Sequence, residues 1–404
     1  MKKTISVIYI MIVAVLAAAT ILGEKEGMEY AKKAVYGSWW FALAWWALAV
    51  CGMYYIIRWG RRSVMTLLLH GAFAVILLGA FVTHTSATQG YIHLRKGSYS
   101  TRFMSEATER HLPFAMRLDN FSVQMYCENG NIADYTSKIT IADMHHNILS
   151  EGRVSMNNIM EYKGWRLYQW AYDDDGMGAT LVINRDPWGI AITYTGYAIL
   201  FVSITAAAFT SCRRMARRRR NLGTLSVFEK SVLVVAIALS VAVMLAGACF
   251  FVTQLLNNNP WISDMQPILN SPWLSVHVSI ITVSYLLLLL TAVCSITALC
   301  GGNGERLRLV SLTLLHPAIA ALAIGIFVGA IWANVSWGTY WSWDPKEVWA
   351  LITMMVYAIA LHEKRMAWLR RPKAFHAFIA ISFLSILMTF FGVNCFLSGM
   401  HSYA

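Results

Sequence analysis

Long apolar runs, each near 20 residues and separated by short polar connections, set the pattern of this chain. They fall near 4–22, 38–57, 64–83, 189–211, 228–252, 276–300, 309–333, 346–362 and 374–396. About 20 apolar residues suffice to span a bilayer as a helix, so the pattern predicts nine spans. Residues 85–188 break it. There, FAMRLDNFSVQMY (114–126), YTSKITIAD (135–143), GWRLYQWAY (164–172) and ATLVINRD (179–186) are short β-like runs, with Gly, Asn and Asp clusters between them. Such runs, bounded by turn residues, predict a small antiparallel β domain.

Composition agrees with a membrane protein: 57% of the 404 residues are hydrophobic and only 13% charged, and the mean hydropathy is +0.51. The formal charge of +12 raises nucleic acid as a partner. The basic residues, however, sit in short patches beside apolar runs, which reads as topology and lipid contact, with no nucleic-acid surface. Lys2/Lys3, Arg58/Arg61/Arg62, Arg213 to Arg220, Arg306/Arg308 and Lys364 to Lys373 occupy alternate connections. All nine runs place these patches on one side, which the positive-inside rule makes cytoplasmic. The expected fold class is thus a polytopic α-helical membrane protein with about nine spans and one small extracytoplasmic β-rich domain. Lys2, Lys3 and the following apolar stretch resemble a signal peptide. No clear small-x-small cleavage site precedes GEKEG, so the segment reads as an uncleaved first helix.

The seven cysteines contain no CxxC pair, which argues against thiol redox chemistry or a structural zinc site in this chain. The adjacent His145 and His146 would point to opposite faces of a strand; they read as exposed loop residues.

Candidate chemistry concentrates in WGTYWSWDPKEVWA at 337–350. Interfacial anchoring accounts for one or two aromatics. Trp337, Trp341, Trp343 and Trp349 around Asp344 instead offer a dense indole surface, suited to a large flat apolar ligand such as haem. DPKE also has a local reading: Asp344 as N-cap, Pro345 at N1 and Glu347 at N3 of the next helix. Both roles of Asp344 stay open. From Pro345 the helix would rise roughly 26 Å by His362, close to the opposite face.

An ionisable residue within a span is costly and is by default a functional candidate. His70 and His362 fall at a common level near the inner face, and His277 and His401 at a common level near the outer face. Each pair is suited to six-coordinate haem iron. The alternative for each histidine is a hydrogen bond between helices. His316 and His376 rival the inner pair, and His84 the outer.

These residues carry a resemblance. WGTYWSWDPKEVWA resembles the tryptophan-rich WWD signature of the haem-handling proteins of cytochrome c maturation, and the PKE continuation is similar to the System II synthetase component, CcsA (ResC). SPWLSVHVS (271–279), VYAIALHEKR (356–365) and GVNCFLSGMHSY (392–403) resemble the segments carrying that family's histidines, in the family order. Residues 226–404 are covered by this likeness. YKGWRLYQWAYDDDG (162–176) and NRDPWGI (184–190) resemble the partner subunit, CcsB (ResB). The whole resembles a compact CcsBA-type fusion. Its parts would be 1–220, with four spans and the insert 85–188, and 226–404, with five spans and an external Trp-rich segment at 334–350.

The resemblance implies a holocytochrome c synthetase of haem lyase type in the cytoplasmic membrane of a bacterium, with the large loop and Trp segment outside. Haem b would pause between His70 and His362. It would then pass to an external site between His277 and His401, against Trp337, Trp341, Trp343, Asp344 and Trp349. Apocytochrome c would present CxxCH there for thioether formation, its thiols kept reduced by thioredoxin-like partners. No general acid or base is assigned. Two other classes compete: a haem exporter or chaperone without ligase activity, and a bis-histidine membrane cytochrome transferring electrons.

Overall fold

The computed structural model describes residues 2–59, 63–105, 108–125, 132–220, 226–255 and 271–397. It begins with α1 (Lys2–Glu26), a short α2 (Met28–Ala31), a five-residue π-turn (Lys32–Tyr36), α3 (Trp39–Trp59) and α4 (Val64–Ser86). Eight strands follow: β1 (Thr88–Arg95), β2 (Tyr99–Ser105), β3 (Thr108–Met125), β4 (Ile132–Ala142), β5 (Ile148–Ser155), β6 (Met160–Tyr162), β7 (Trp165–Tyr172) and β8 (Gly178–Arg185). The rest is helical: α5 (Gly189–Arg220), α6 (Val227–Leu255), α7 (Pro272–Leu299), α8 (Gly304–Trp337), α9 (Pro345–Leu361), α10 (Pro372–Leu387) and α11 (Val393–Phe396).

Among the described residues, eight helical segments are long and apolar enough to cross a membrane. Each of the nine apolar runs is helical, but the run at 346–362 forms α9, only 17 residues long. Val50, Leu78, Val234, Ile237 and Leu245 project outward uncovered. Such a band of apolar surface is stable against lipid and not against water. The chain is a multi-pass membrane protein.

Helix packing relies on small residues that let backbones approach. A Cβ at Gly79 would strike Thr193, and one at Gly196 would lie 2.7 Å from Ile76, so α4 and α5 touch closely. α8 lies at the centre. Leu315, Ala318, Leu322 and Ala323 on α8 join Leu288 and Cys294 of α7, Tyr357 of α9 and Ile379 of α10 in one core. Its other face meets Ala72 of α4 and Tyr197 and Leu200 of α5 through Phe327 and Ala330. On the far side of α9, Val348, Ile352 and Met355 pack on Ile12 and Leu16 of α1.

The sheet runs β5-β4-β3-β2-β1-β8-β7-β6, with every neighbouring pair antiparallel. β1 follows α4 directly, β8 leads into α5, and the two strands pair from Thr88↔Arg185 to Arg95↔Gly178. The α4–α5 pair thus continues upward as a strand pair. Alternate residues (Ile92 and Leu94, Leu181 and Ile183) point to one face and share a core with Val154 of β5 and Leu167 of β7, so the sheet curls around its own interior. The four expected β-like runs correspond to β3, β4, β7 and β8. Asp173–Gly178 is a turn as DDDG implies, and His145 and His146 sit exposed in the β4–β5 turn.

The two ends of the helical body differ. One carries the sheet and the α8–α9 loop. At the other, Arg308 donates to the Arg370 carbonyl (2.7 Å), Arg370 to the Lys364 carbonyl (2.7 Å), and Arg365 to the Tyr55 hydroxyl (2.9 Å). The Glu363 carboxylate is buried among them, 3.7 Å from Arg308, and burial lifts its pKa above the usual carboxylate range despite that cation.

Candidate functional site

A cavity of about 2260 Å³ is lined by residues of α1, α3, α4, α5, α8 and α9, more than twice the upper end of ordinary ligand pockets, roughly 1,000 Å³. It runs from Thr66, His70, His316, His362 and Arg365 at the basic end to Thr83, His84, Gln89, Asn184 and Trp343 at the sheet end.

His70 lies two turns into α4 and His362 caps the C-terminus of α9. Their ring centroids are 6.3 Å apart and their planes are inclined by 82°. His70 Nδ1 donates to the Thr66 carbonyl (2.9 Å) and His362 Nδ1 to the Ala358 carbonyl (2.8 Å). A carbonyl only accepts, so Nδ1 holds the proton in both rings and Nε2 presents its lone pair. That is the tautomer a metal requires, fixed by a partner on the opposite nitrogen. Metal–imidazole bonds of roughly 2 Å, with ring centres roughly 1 Å beyond the nitrogens, place two rings on one metal roughly 6 Å apart. The observed spacing therefore admits a single metal atom between the two rings.

Of the inner rivals, His376 is set apart and His316 is not. His376 is buried, with Nδ1 on Ser295 Oγ (3.0 Å) and Nε2 on the Gly304 carbonyl (2.9 Å). Both nitrogens are occupied, and it ties α10 to α7 and α8. His316 lines the cavity, with Nδ1 donating to the Leu312 carbonyl (2.6 Å). His84 lines the cavity at its sheet end.

The Trp segment divides between environments. Asp344 caps α9: its carboxylate accepts from Lys346 N (3.0 Å), while Glu347 accepts from Asp344 N (3.3 Å) and Ser342 N (3.0 Å). Asp344 is 3% exposed. Trp341 and Trp343 meet edge to face at 5.8 Å and both line the cavity. The Trp341 indole N–H is buried with no hydrogen-bond partner among the described residues; such a donor suits an acceptor on a bound molecule. Trp343 has φ +60, a left-handed conformation that strains a bulky residue, and it stacks on Tyr36 at 4.4 Å. Trp337 instead packs on Trp332 (5.0 Å), and Trp349 Nε1 donates to Thr20 Oγ1 of α1 (3.2 Å).

His277 is six residues into α7. Its Nδ1 donates to the Gly325 carbonyl of α8 (2.8 Å), and its ring lies 6.5 Å from Trp332. A Cβ on Gly329 would come within 2.7 Å of that ring, so the glycine makes room for it. His277 thus reaches Trp337 through Trp332. His401 lies outside the described residues.

The sheet domain grips the α8–α9 loop. Asn184 Nδ2 donates to the Gly338 carbonyl, Tyr168 to the Asn334 carbonyl (3.1 Å) and Arg166 to Asn334 Oδ1 (3.1 Å). Ser336 donates to Asn157 (2.6 Å), and Tyr340 to Thr83 Oγ1 (2.9 Å), which donates to Asp186 (2.6 Å). Sequence reasoning missed these positions, together with Tyr36, Phe41 and Trp45 on the cavity wall. The aromatic pairs Trp39–Trp40 and Trp45–Trp46 were a visible signal of a second indole cluster.

A family model described as "Cytochrome C assembly protein" matches residues 198–401, half of the chain. The chain belongs to this cytochrome c assembly family. A second family model, ResB-like, matches residues 60–187, so the two halves are those of a CcsBA-type cytochrome c biogenesis protein. Among curated relatives, Protein NrfI of Wolinella succinogenes is 38% identical over 205 residues, 45% of this chain and 21% of NrfI. The cytochrome c biogenesis protein CcsA of Chlamydomonas reinhardtii is 38% identical over 154 residues, 35% of this chain and 43% of the relative. CcsA of Synechococcus sp. is 34% identical over 179 residues, covering 35% and 58%. The chain therefore matches only part of the length of each relative.

Proposed function

We propose that this assembly-family member carries haem b across the cytoplasmic membrane of a bacterium and joins it to the CxxCH motif of apocytochrome c. The observation that carries the reading is the His70–His362 pair, two imidazoles 6.3 Å apart in metal-ready tautomers on a large apolar cavity. With the basic end cytoplasmic by the positive-inside rule, haem would enter there, and the sheet domain and Trp segment, at the opposite end of the helical body, would lie outside.

The chain's own contribution is to bind, orient and exclude water. His70 and His362 hold the iron at the inner end. Trp341 and Trp343 guide the porphyrin plane at the outer end, and His277 with His401 forms the external ligand pair against Trp337. Trp349 and Asp344 brace that surface, Trp349 on α1 and Asp344 by capping α9. At the external site a client cysteine adds across each vinyl group, sulfur to one carbon and hydrogen to the other, with no net oxidation. Residues 1–220 and 226–404 act as one unit, since the sheet holds the loop on which the Trp residues lie. The chain's lack of CxxC assigns client reduction to separate thioredoxin-like proteins.

Co-expression with an apocytochrome c in a host lacking a maturation system tests this. Haem staining of the denatured client is expected to reveal covalent haem, lost in the His70→Ala/His362→Ala double variant. Haem on this protein with none on the client would replace the ligase reading with a haem chaperone, and quinol-driven redox cycling without maturation would replace it with an electron carrier.

A further inference from the structure

Resting on the haem reading of the inner cavity, we infer that Arg365 is the partner of a haem propionate, fixing the porphyrin edge while His70 and His362 take the iron. Haem is an amphipathic cargo: an apolar disc with two carboxylates on one edge. A cavity that takes the disc must give those carboxylates a cation or leave them solvated.

Arg365 follows His362 by one 3₁₀ turn, and its N–H bonds to the His362 carbonyl (2.8 Å), so ligand and guanidinium move together. It lines the same cavity as both histidines. Its guanidinium donates to the Tyr55 hydroxyl (2.9 Å) and lies 5.4 Å from that ring's centre. Tyr55 thereby orients the guanidinium without neutralising it. No carboxylate pairs with Arg365 among the described residues. Its basic neighbours are differently engaged: Arg308 lies beside Glu363 (3.7 Å) and bonds the Arg370 carbonyl, and Arg370 bonds the Lys364 carbonyl. Lys2 and Lys3 line the cavity as well. Tyr9 on α1 donates to Met355 of α9, and Trp349 to Thr20, so α1 runs antiparallel to α9 and its lysines lie at the His362 end. A guanidinium pairs a carboxylate with two parallel bonds, a geometry that lysine lacks.

A lipid phosphate offers Arg365 similar oxyanion chemistry, so the test separates the two. The full chain is held in a maltoside detergent, which carries no phosphate. Affinities for haem and for haem dimethyl ester, whose carboxylates are blocked, are read from the Soret band. The unaltered protein is expected to prefer the free acid roughly tenfold or more, as a charge-assisted bond implies. Arg365→Ala should bind the ester as before and lose that preference, and Arg365→Lys should recover only part of it. Retained preference in Arg365→Ala, or equal weakening of both ligands, overturns the inference, as does a preference that emerges only when anionic lipid is added. His70→Ala and His362→Ala belong in the same assay. If they leave the Soret band and affinity unchanged, the bis-histidine reading itself fails, whatever Arg365 does.

Discussion

Gly338 offers the sharpest test of whether the sheet domain sets the Trp segment. It ends α8 with φ +86, and its carbonyl accepts from Asn184. A Cβ there would lie 2.7 Å from Cε2 and 3.0 Å from Cζ of Tyr168. Tyr168 is 1% exposed and is held by its bond to the Asn334 carbonyl, so the ring cannot swing aside without giving up that bond. Gly338→Ala therefore carries two costs. The left-handed backbone costs an L-residue about 1–2 kcal/mol, and the forced contact adds about 1–3 kcal/mol. Gly97, in the β1–β2 turn, provides the control: φ is +81 and nothing lies within 4 Å of its Cβ. Gly97→Ala should bear the backbone cost alone. The assay is the yield of covalent haem on a co-expressed apocytochrome c, with limited proteolysis at the α8–α9 loop. Gly338→Ala should lower the yield several-fold and expose the loop, and Gly97→Ala should do neither. Equal behaviour of the two variants would refute the claim that the sheet positions Trp341 and Trp343.

Asp344→Asn keeps an N-cap and should retain haem, whereas Asp344→Ala should weaken the start of α9 by about 1 kcal/mol; loss of haem in Asp344→Asn, read from the Soret band, would point to a direct electrostatic role. His376→Ala should lower thermal stability, since it leaves Ser295 and the Gly304 carbonyl without their partner, yet leave the ligation spectrum of bound haem unchanged. In the sheet domain, the carboxyls of Asp173 and Asp175 titrate below their usual range, chiefly through hydrogen bonds from Arg95. A depressed folded-state pKa stabilises above the ordinary carboxylate value of about 3.9 and is lost as pH falls through the depressed value. Arg95→Ala should therefore flatten the acid limb of the domain's unfolding profile, followed by circular dichroism.

Eight of the nine expected runs form membrane-length helices among the described residues, and they were legible because lipid imposes a length and an apolarity on each span, both local properties of the chain; the ninth run forms the shorter α9. The cap at Asp344 was legible for the same reason: DPKE sets Asp, Pro and Glu at fixed offsets within one turn. Half of the strands were not legible. β1, β2, β5 and β6 carry mixed or short patterns, and their pairing is decided by a sheet that curls on itself rather than by their own residues.

For the site, the sequence by itself supplied the inventory: the histidines near each membrane face and the indoles around Asp344. It could not choose among His70, His316, His362 and His376, because depth along a helix says nothing of which way a side chain faces. Tertiary structure sets that direction, and it turns His316 toward the same cavity as His70 and His362. His376 turns between helices, where Ser295 and a carbonyl satisfy it, while His70 and His362, 292 positions apart, meet across one cavity. It also split the four tryptophans, two toward the cavity, one onto Trp332 and one onto α1. Direction across a helix is fixed by what packs against each face, and those partners lie hundreds of residues away in the chain.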